Sequence, residues 1–158
     1  IEERDVEISL SPGFRWGTTL LPGQSITIDD LYTQTSMSYP NVYRTEMTGK
    51  QLKDILEDVC DNLFNIDPFY QQGGDMVRVG GMNYTCRPKG RMGNRISDMT
   101  LTRTGKPIDA ERSYRVGGWA SINENVEGPA IYDLMENYII RKKVIENSGQ
   151  QAVKVIGM

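Results

Sequence analysis

Arg15 and Trp16 stand in the run Pro12-Gly13-Phe14-Arg15-Trp16-Gly17, where flanking glycines let the backbone approach a ligand closely. A planar guanidinium there gives bidentate hydrogen bonds to a sulfonate or phosphate, and the indole beside it can edge an apolar channel. The plain alternatives are an arginine that braces its own loop and a tryptophan packed against a neighbouring domain. The chain has no histidine at all. It therefore cannot build a Ser-His-Asp triad, a His-ligated zinc site or an HExxH site. If it serves a metal hydrolase, the metal chemistry is expected to lie elsewhere. Gly73-Gly74 and Gly80-Gly81 read as turn or bulge glycines, and no P-loop pattern occurs. The adjacent acids Asp29-Asp30 and Glu57-Asp58 read as a helix cap and a solvated helix face, not as a catalytic pair.

The elements that would position these residues follow from periodicity. Apolar and polar residues alternate over 6–10 and 42–47, as in half-buried strands, with a Pro- and Gly-rich loop over 11–23 between them. Asp29 is a candidate cap for a short helix through Leu31 and Tyr32. The clearest helix spans 50–64. Leu52, Ile55, Leu56, Val59, Cys60, Leu63 and Phe64 recur on one face, with Lys53, Asp54, Glu57, Asp58 and Asp61 on the other and Thr48 as N-cap. Strands are expected over 76–79, 82–86, 95–103, 114–118 and 152–156. A second main helix is expected over 129–140, with Pro129 in its first turn. This order predicts an α+β fold with a mixed sheet, in one domain over 1–158.

The charge is uneven. Residues 46–75 hold seven acids and two bases, and residues 78–115 hold nine bases and three acids. That pattern reads either as two solvated faces or as a basic half that presents an anion-binding surface. The overall net charge of −3 argues against a general nucleic-acid binder. Mean hydropathy is −0.48, and no window approaches the roughly 18 to 20 apolar residues that a membrane span needs. The first residues show no signal peptide. Cys60 and Cys86 form no disulfide framework: a buried free thiol and a Cys60–Cys86 bridge both remain open.

The order of motifs is recognisable as a whole. Gly13-Phe14-Arg15 comes first, then Met47-Thr48-Gly49-Lys50, Val79-Gly80-Gly81-Met82-Asn83-Tyr84 and Met92-Gly93-Asn94-Arg95-Ile96. Gly105-Lys106-Pro107-Ile108-Asp109 and Ser113-Tyr114-Arg115-Val116 follow. The chain thus resembles the C-terminal domain of the 5′-nucleotidase family. The resemblance implies an α/β/β/α sandwich with mixed sheets and two main helices. It also implies a substrate held against a separate N-terminal metallophosphatase domain, absent from this chain, that carries two metal ions. Relatives clamp a nucleobase between two aromatic rings. The matching positions here are Met76 and a residue near Ser121, which supply no pair of flat faces.

SPGFRWG and SMSYPNVYRTEMTGKQLK are similar to the SoxB-type branch of the family. That branch implies a periplasmic dimanganese thiosulfohydrolase, which releases sulfate from a cysteine S-thiosulfonate carried by the swinging arm of SoxYZ. By this resemblance Arg15 is the substrate-binding arginine, and Trp16 lines the channel. Lys50 takes a position that is basic in some nucleotidases, with a helix-start surface charge as its plain alternative. Arg78 flanks the displaced clamp position; its plain alternative is a salt bridge to the acidic helix. Trp119 and Asn123 replace the second clamp loop, or serve as core anchor and turn residue. The isolated domain is expected to be inactive, with no catalytic residue and no metal of its own. The rival readings are the C-terminal domain of a 5′-nucleotidase or cyclic-nucleotide phosphodiesterase, and a non-catalytic module that binds an anionic partner.

Overall fold

The structure is a computed structural model. It describes residues 1–13, 18–35, 38–120, 126–146 and 152–157. Strand β1 (Ile8–Ser11) pairs parallel with β6 (Ser113–Gly118) and antiparallel with β3 (Arg78–Gly80). Strand β2 (Tyr43–Thr48) lies antiparallel on the far side of β6, so the first sheet runs β2-β6-β1-β3. The second sheet runs β5 (Ile96–Leu101), β4 (Met82–Cys86), β7 (Val153–Val155), antiparallel and then parallel. Among the described residues three α-helices join them: α1 (Ile28–Gln34), α2 (Gly49–Phe64) and α3 (Ile131–Lys142). The mixed sheets of the expected α+β class are present. No helix among the described residues is long and apolar enough to cross a membrane.

One core joins both sheets to α2. Ile8, Leu10, Tyr114 and Val116 from the first sheet meet Met82, Tyr84, Ile96 and Leu101 from the second, and Leu52, Leu56 and Cys60 fill in from α2. Those three helix residues are spaced i, i+4, i+8, the stripe that helical geometry brings onto one face. Thr48 caps α2 as expected, in a capping box with Gln51. Two other expectations need correction. The cap of α1 is Thr27, not Asp29: its hydroxyl accepts the Asp30 N–H while the Asp30 carboxylate accepts the Thr27 N–H. Pro129 lies before α3, whose N-cap is Ala130. The Pro129 carbonyl accepts the Val42 N–H, and Asn41 bridges to Ala130, which keeps this stretch extended. α3 sits loosely, with Ile131 buried but Leu134, Met135 and Tyr138 half-buried above a cavity of about 390 Å³.

The acidic face of α2 is not all solvated. Glu57 is buried, and its carboxylate accepts backbone N–H groups from Gly93 at 2.8 Å, Arg95 at 3.3 Å and Ile96 at 2.7 Å. The Arg95 side chain is buried too. It donates to the Asp61 carboxylate, to the Gly90 carbonyl at 2.8 Å and to the Phe64 carbonyl at 3.3 Å. The acidic and basic stretches of the sequence therefore meet inside the molecule. A buried carboxylate is tolerated here because three donors replace its water.

Three stability measurements check this packing. Leu56→Ala empties a site 1% exposed and should cost about 2 to 5 kcal/mol by chemical denaturation. Glu57→Gln turns an acceptor into an NH₂ group facing backbone donors and should cost about 2 kcal/mol or more; an unchanged midpoint would show that the loop is held otherwise. The Asp61 carboxyl is held below its ordinary 3.8, first by the Arg95 hydrogen bond and then by that from Asn65. Its contribution is whole above 3.8 and is lost as pH falls through the depressed folded value. Asp61→Asn should therefore lower the melting temperature most near neutral pH and converge with the unaltered chain in strong acid.

Candidate functional site

The first sheet gathers its loops at one end. Parallel strands β1 and β6 finish side by side there, Leu10 opposite Gly118. The antiparallel β3 and β2 begin there, Arg78 opposite Ser11 and Tyr43 opposite Gly118. Four segments consequently converge: the chain leaving Ser11 toward Arg15 and Trp16, the chain entering Arg78, the chain leaving Gly118 toward Asn123, and the chain entering Tyr43. Two close approaches fix them. A Cβ on Gly13 would collide with Asp75 and come within 2.9 Å of the Met76 carbonyl. One on Gly118 would run into the Tyr43 ring. Tyr39 and Ala120, both in these segments, hold left-handed backbone with φ of 53° and 61°. Strain of this kind persists where the surroundings over-determine the chain, as around binding sites.

Of the six residues singled out from the sequence, Arg15, Trp16 and Asn123 lie outside the described residues, as does Ser121. Arg78 is exposed at the convergent end, and among the described residues its side chain has no ion pair or hydrogen bond, so the bridge to the acidic helix, its alternative reading, is not made. The other bases of that stretch are partly spent: Arg95 on Asp61, Arg112 on Glu7, Arg115 on Asp5 and Arg87 on the Ser97 hydroxyl. Trp119 is half-buried at the same end and lines two cavities of about 390 and 380 Å³. The second is lined mainly by apolar side chains of α1, α3 and the 20–26 segment.

Lys50 is not brought to this end. β2 carries the chain from Tyr43, at the convergent end, to Thr48 opposite Ser113, about 16 Å at the usual rise per strand residue. Lys50 pairs there with Asp54 at 2.6 Å, and that hydrogen bond raises its pKa. Met76, at the first clamp position, packs against the hydrophobic core rather than presenting a face to a ligand. Sequence reasoning missed Tyr43, whose ring abuts Gly118 and whose hydroxyl pKa is raised by burial. The available signal was the Gly117-Gly118 pair, which leaves room for a ring across the ladder. Among the described residues no group of three His, Cys, Asp or Glu could hold a metal ion. The chemistry within reach of this end is anion binding and positioning by arginine, with an indole and a phenol at the rim.

Residues 2–128 match the family model described as 5′-nucleotidase, C-terminal domain. Among solved structures, the chain is similar to the sulfate thiohydrolase SoxB of Thermus thermophilus, solved in complex with glycerol. The identity is 37% and the TM-score 0.88, over 98% of this chain and 29% of that one. It is also similar to a 5′-nucleotidase precursor from Thermus thermophilus, at 17% identity and TM-score 0.73 over 97% of this chain and 32% of that one. The NAD nucleotidase NadN of Haemophilus influenzae aligns at 20% identity and TM-score 0.73, over 96% and 30%. At those two identities the likeness is one of fold alone. The chain spans about a third or less of each of these proteins. No curated protein matches it.

A sulfate titration followed by NMR separates the two ends of the sheet. Arg78→Ala should weaken the anion about tenfold, the scale of one charge-assisted contact, while Lys50→Ala should change it less than about twofold. The reverse order would move the anion site to the start of α2.

Proposed function

Given that the chain belongs to the 5′-nucleotidase C-terminal domain family, we propose that it is the substrate-holding domain of a SoxB-like thiosulfohydrolase. In this reading the whole enzyme works in the periplasm on a cysteine S-thiosulfonate borne by the swinging arm of the carrier SoxYZ. Water adds to the terminal sulfonate sulfur, the sulfur–sulfur bond breaks, sulfate departs and the carrier keeps a persulfide. The observation that carries the reading is the 37% identity to SoxB across 98% of the chain. Met76 supports it, because a methionine at that position offers no ring face to a nucleobase.

The chain's own part is to bind and orient. Arg15 takes the sulfonate oxygens as a bidentate donor, and Arg78, with no competing carboxylate among the described residues, adds positive charge at the same end of the sheet. Trp119, and Trp16 by the resemblance, edge the path of the arm. Two manganese ions go with such an enzyme, but the described residues do not fit them. They hold no ligand cluster and the chain no histidine, so the metal centre is assigned to the rest of a longer polypeptide.

The test uses the polypeptide that contains this domain. Arg15→Ala should lower sulfate release from the carrier-bound substrate about thirtyfold, equivalent to about 2 kcal/mol, with an unchanged melting temperature. An arginine that only braces its loop predicts the opposite: a lower melting temperature with turnover per folded molecule intact. Micromolar binding of AMP by the unaltered protein would overturn the sulfur reading and favour a nucleotide-processing enzyme.

A further inference from the structure

Cys60 and Cys86 are 26 positions apart in the chain, yet their Sγ atoms lie 3.7 Å apart in the core. Both residues are buried, at 0% and 4% exposure. Each is a free thiol in this structure. Cys60 occupies the apolar stripe of α2, one turn beyond Leu56. Cys86 ends β4, paired with Ile96 on one side and Val155 on the other. The neighbouring Glu57 and Asp61 hold the loop that follows Cys86. Helix and strand are thus already clamped at the level of the two sulfurs. A separation of 3.7 Å is van der Waals contact between sulfurs, so a bond at about 2.05 Å needs the two sulfurs to close by about 1.7 Å.

We propose that Cys60 and Cys86 form a disulfide that closes during folding in an oxidising compartment, and that in the folded domain the pair is locked in whichever state it entered. The donor is a disulfide of a thiol oxidant, either an oxidised glutathione or a protein dithiol oxidase. One cysteine thiolate attacks the donor disulfide, forming a mixed disulfide and expelling one donor thiol. The second cysteine then attacks the sulfur of the first and expels the other donor thiol. Two electrons and two protons pass from the pair to the donor, which ends as two thiols. Folding stops the exchange, because no donor reaches two buried sulfurs. Burial also pushes the Cys60 thiol up to about 12, which disfavours its thiolate. Once formed, the bond removes the freedom of the intervening loop from the unfolded chain and ties α2 to β4 across the core.

The experiment refolds the 158-residue chain from denaturant, once with oxidised glutathione and once with a reductant. The oxidised product should show no free thiol after denaturation, a mass two hydrogens lower, and a melting temperature higher by roughly 10 °C. The same chain folded reduced, then given oxidised glutathione under native conditions, should keep both thiols for hours. Cys60→Ala should abolish the difference in melting temperature between the two refolding conditions. Two free thiols or glutathione adducts after oxidative refolding would overturn the proposal. So would a bonded form no more stable than the reduced one. Should refolding fail, the chain produced in an oxidising compartment and alkylated after denaturation decides it: no reagent taken up supports the bond, two equivalents refute it.

Discussion

The carboxylate of Glu57 holds the molecule together at its least expected place. It sits inside the protein because three backbone N–H groups of the Gly93–Ile96 stretch converge on it. Arg95, turned back by that loop, then reaches Asp61 and the last carbonyl of α2, that of Phe64. Breaking one partner of such a set leaves buried donors or a buried charge without compensation, which costs far more than a surface ion pair contributes. The contact fixes the C-terminal end of α2. From there the chain returns through a short 3-10 turn at Pro68–Tyr70 to Met76 and Arg78, so the same contact sets where the candidate site begins.

The site itself is a consequence of strand direction. Two parallel strands must end together, and two antiparallel neighbours must begin where they end. Four loops from distant parts of the sequence are thereby brought to one rim without any single motif containing them. Close approach at Gly13 and Gly118 and left-handed backbone at Tyr39 and Ala120 give that rim its shape. Four of the nine bases of the basic stretch are engaged within the fold, and Arg78, at this rim, has no partner among the described residues. A guanidinium with no internal carboxylate is available to an external anion, which is what the positioning role proposed for this domain requires.

The amino-acid sequence determined what depends on neighbours along the chain. The 3.6-residue stripe of Leu52, Leu56 and Cys60 gave α2, Thr48 gave its start, and short strand-like runs gave the strands to within a residue or two. Ordered motifs gave the family, and the missing histidine excluded whole classes of chemistry. Tertiary structure decided what depends on partners far away in sequence. Periodicity places Glu57 one position past the apolar stripe but cannot say that the loop 36 to 39 residues later supplies its donors. Nor can it say that β2 carries Lys50 to the far end of the sheet, that Met76 packs against the core, or that Cys60 and Cys86 meet. Helix and strand signals are local and repeat along the chain. Register, strand direction and the compensation of a buried charge are fixed only when separate segments pack against one another.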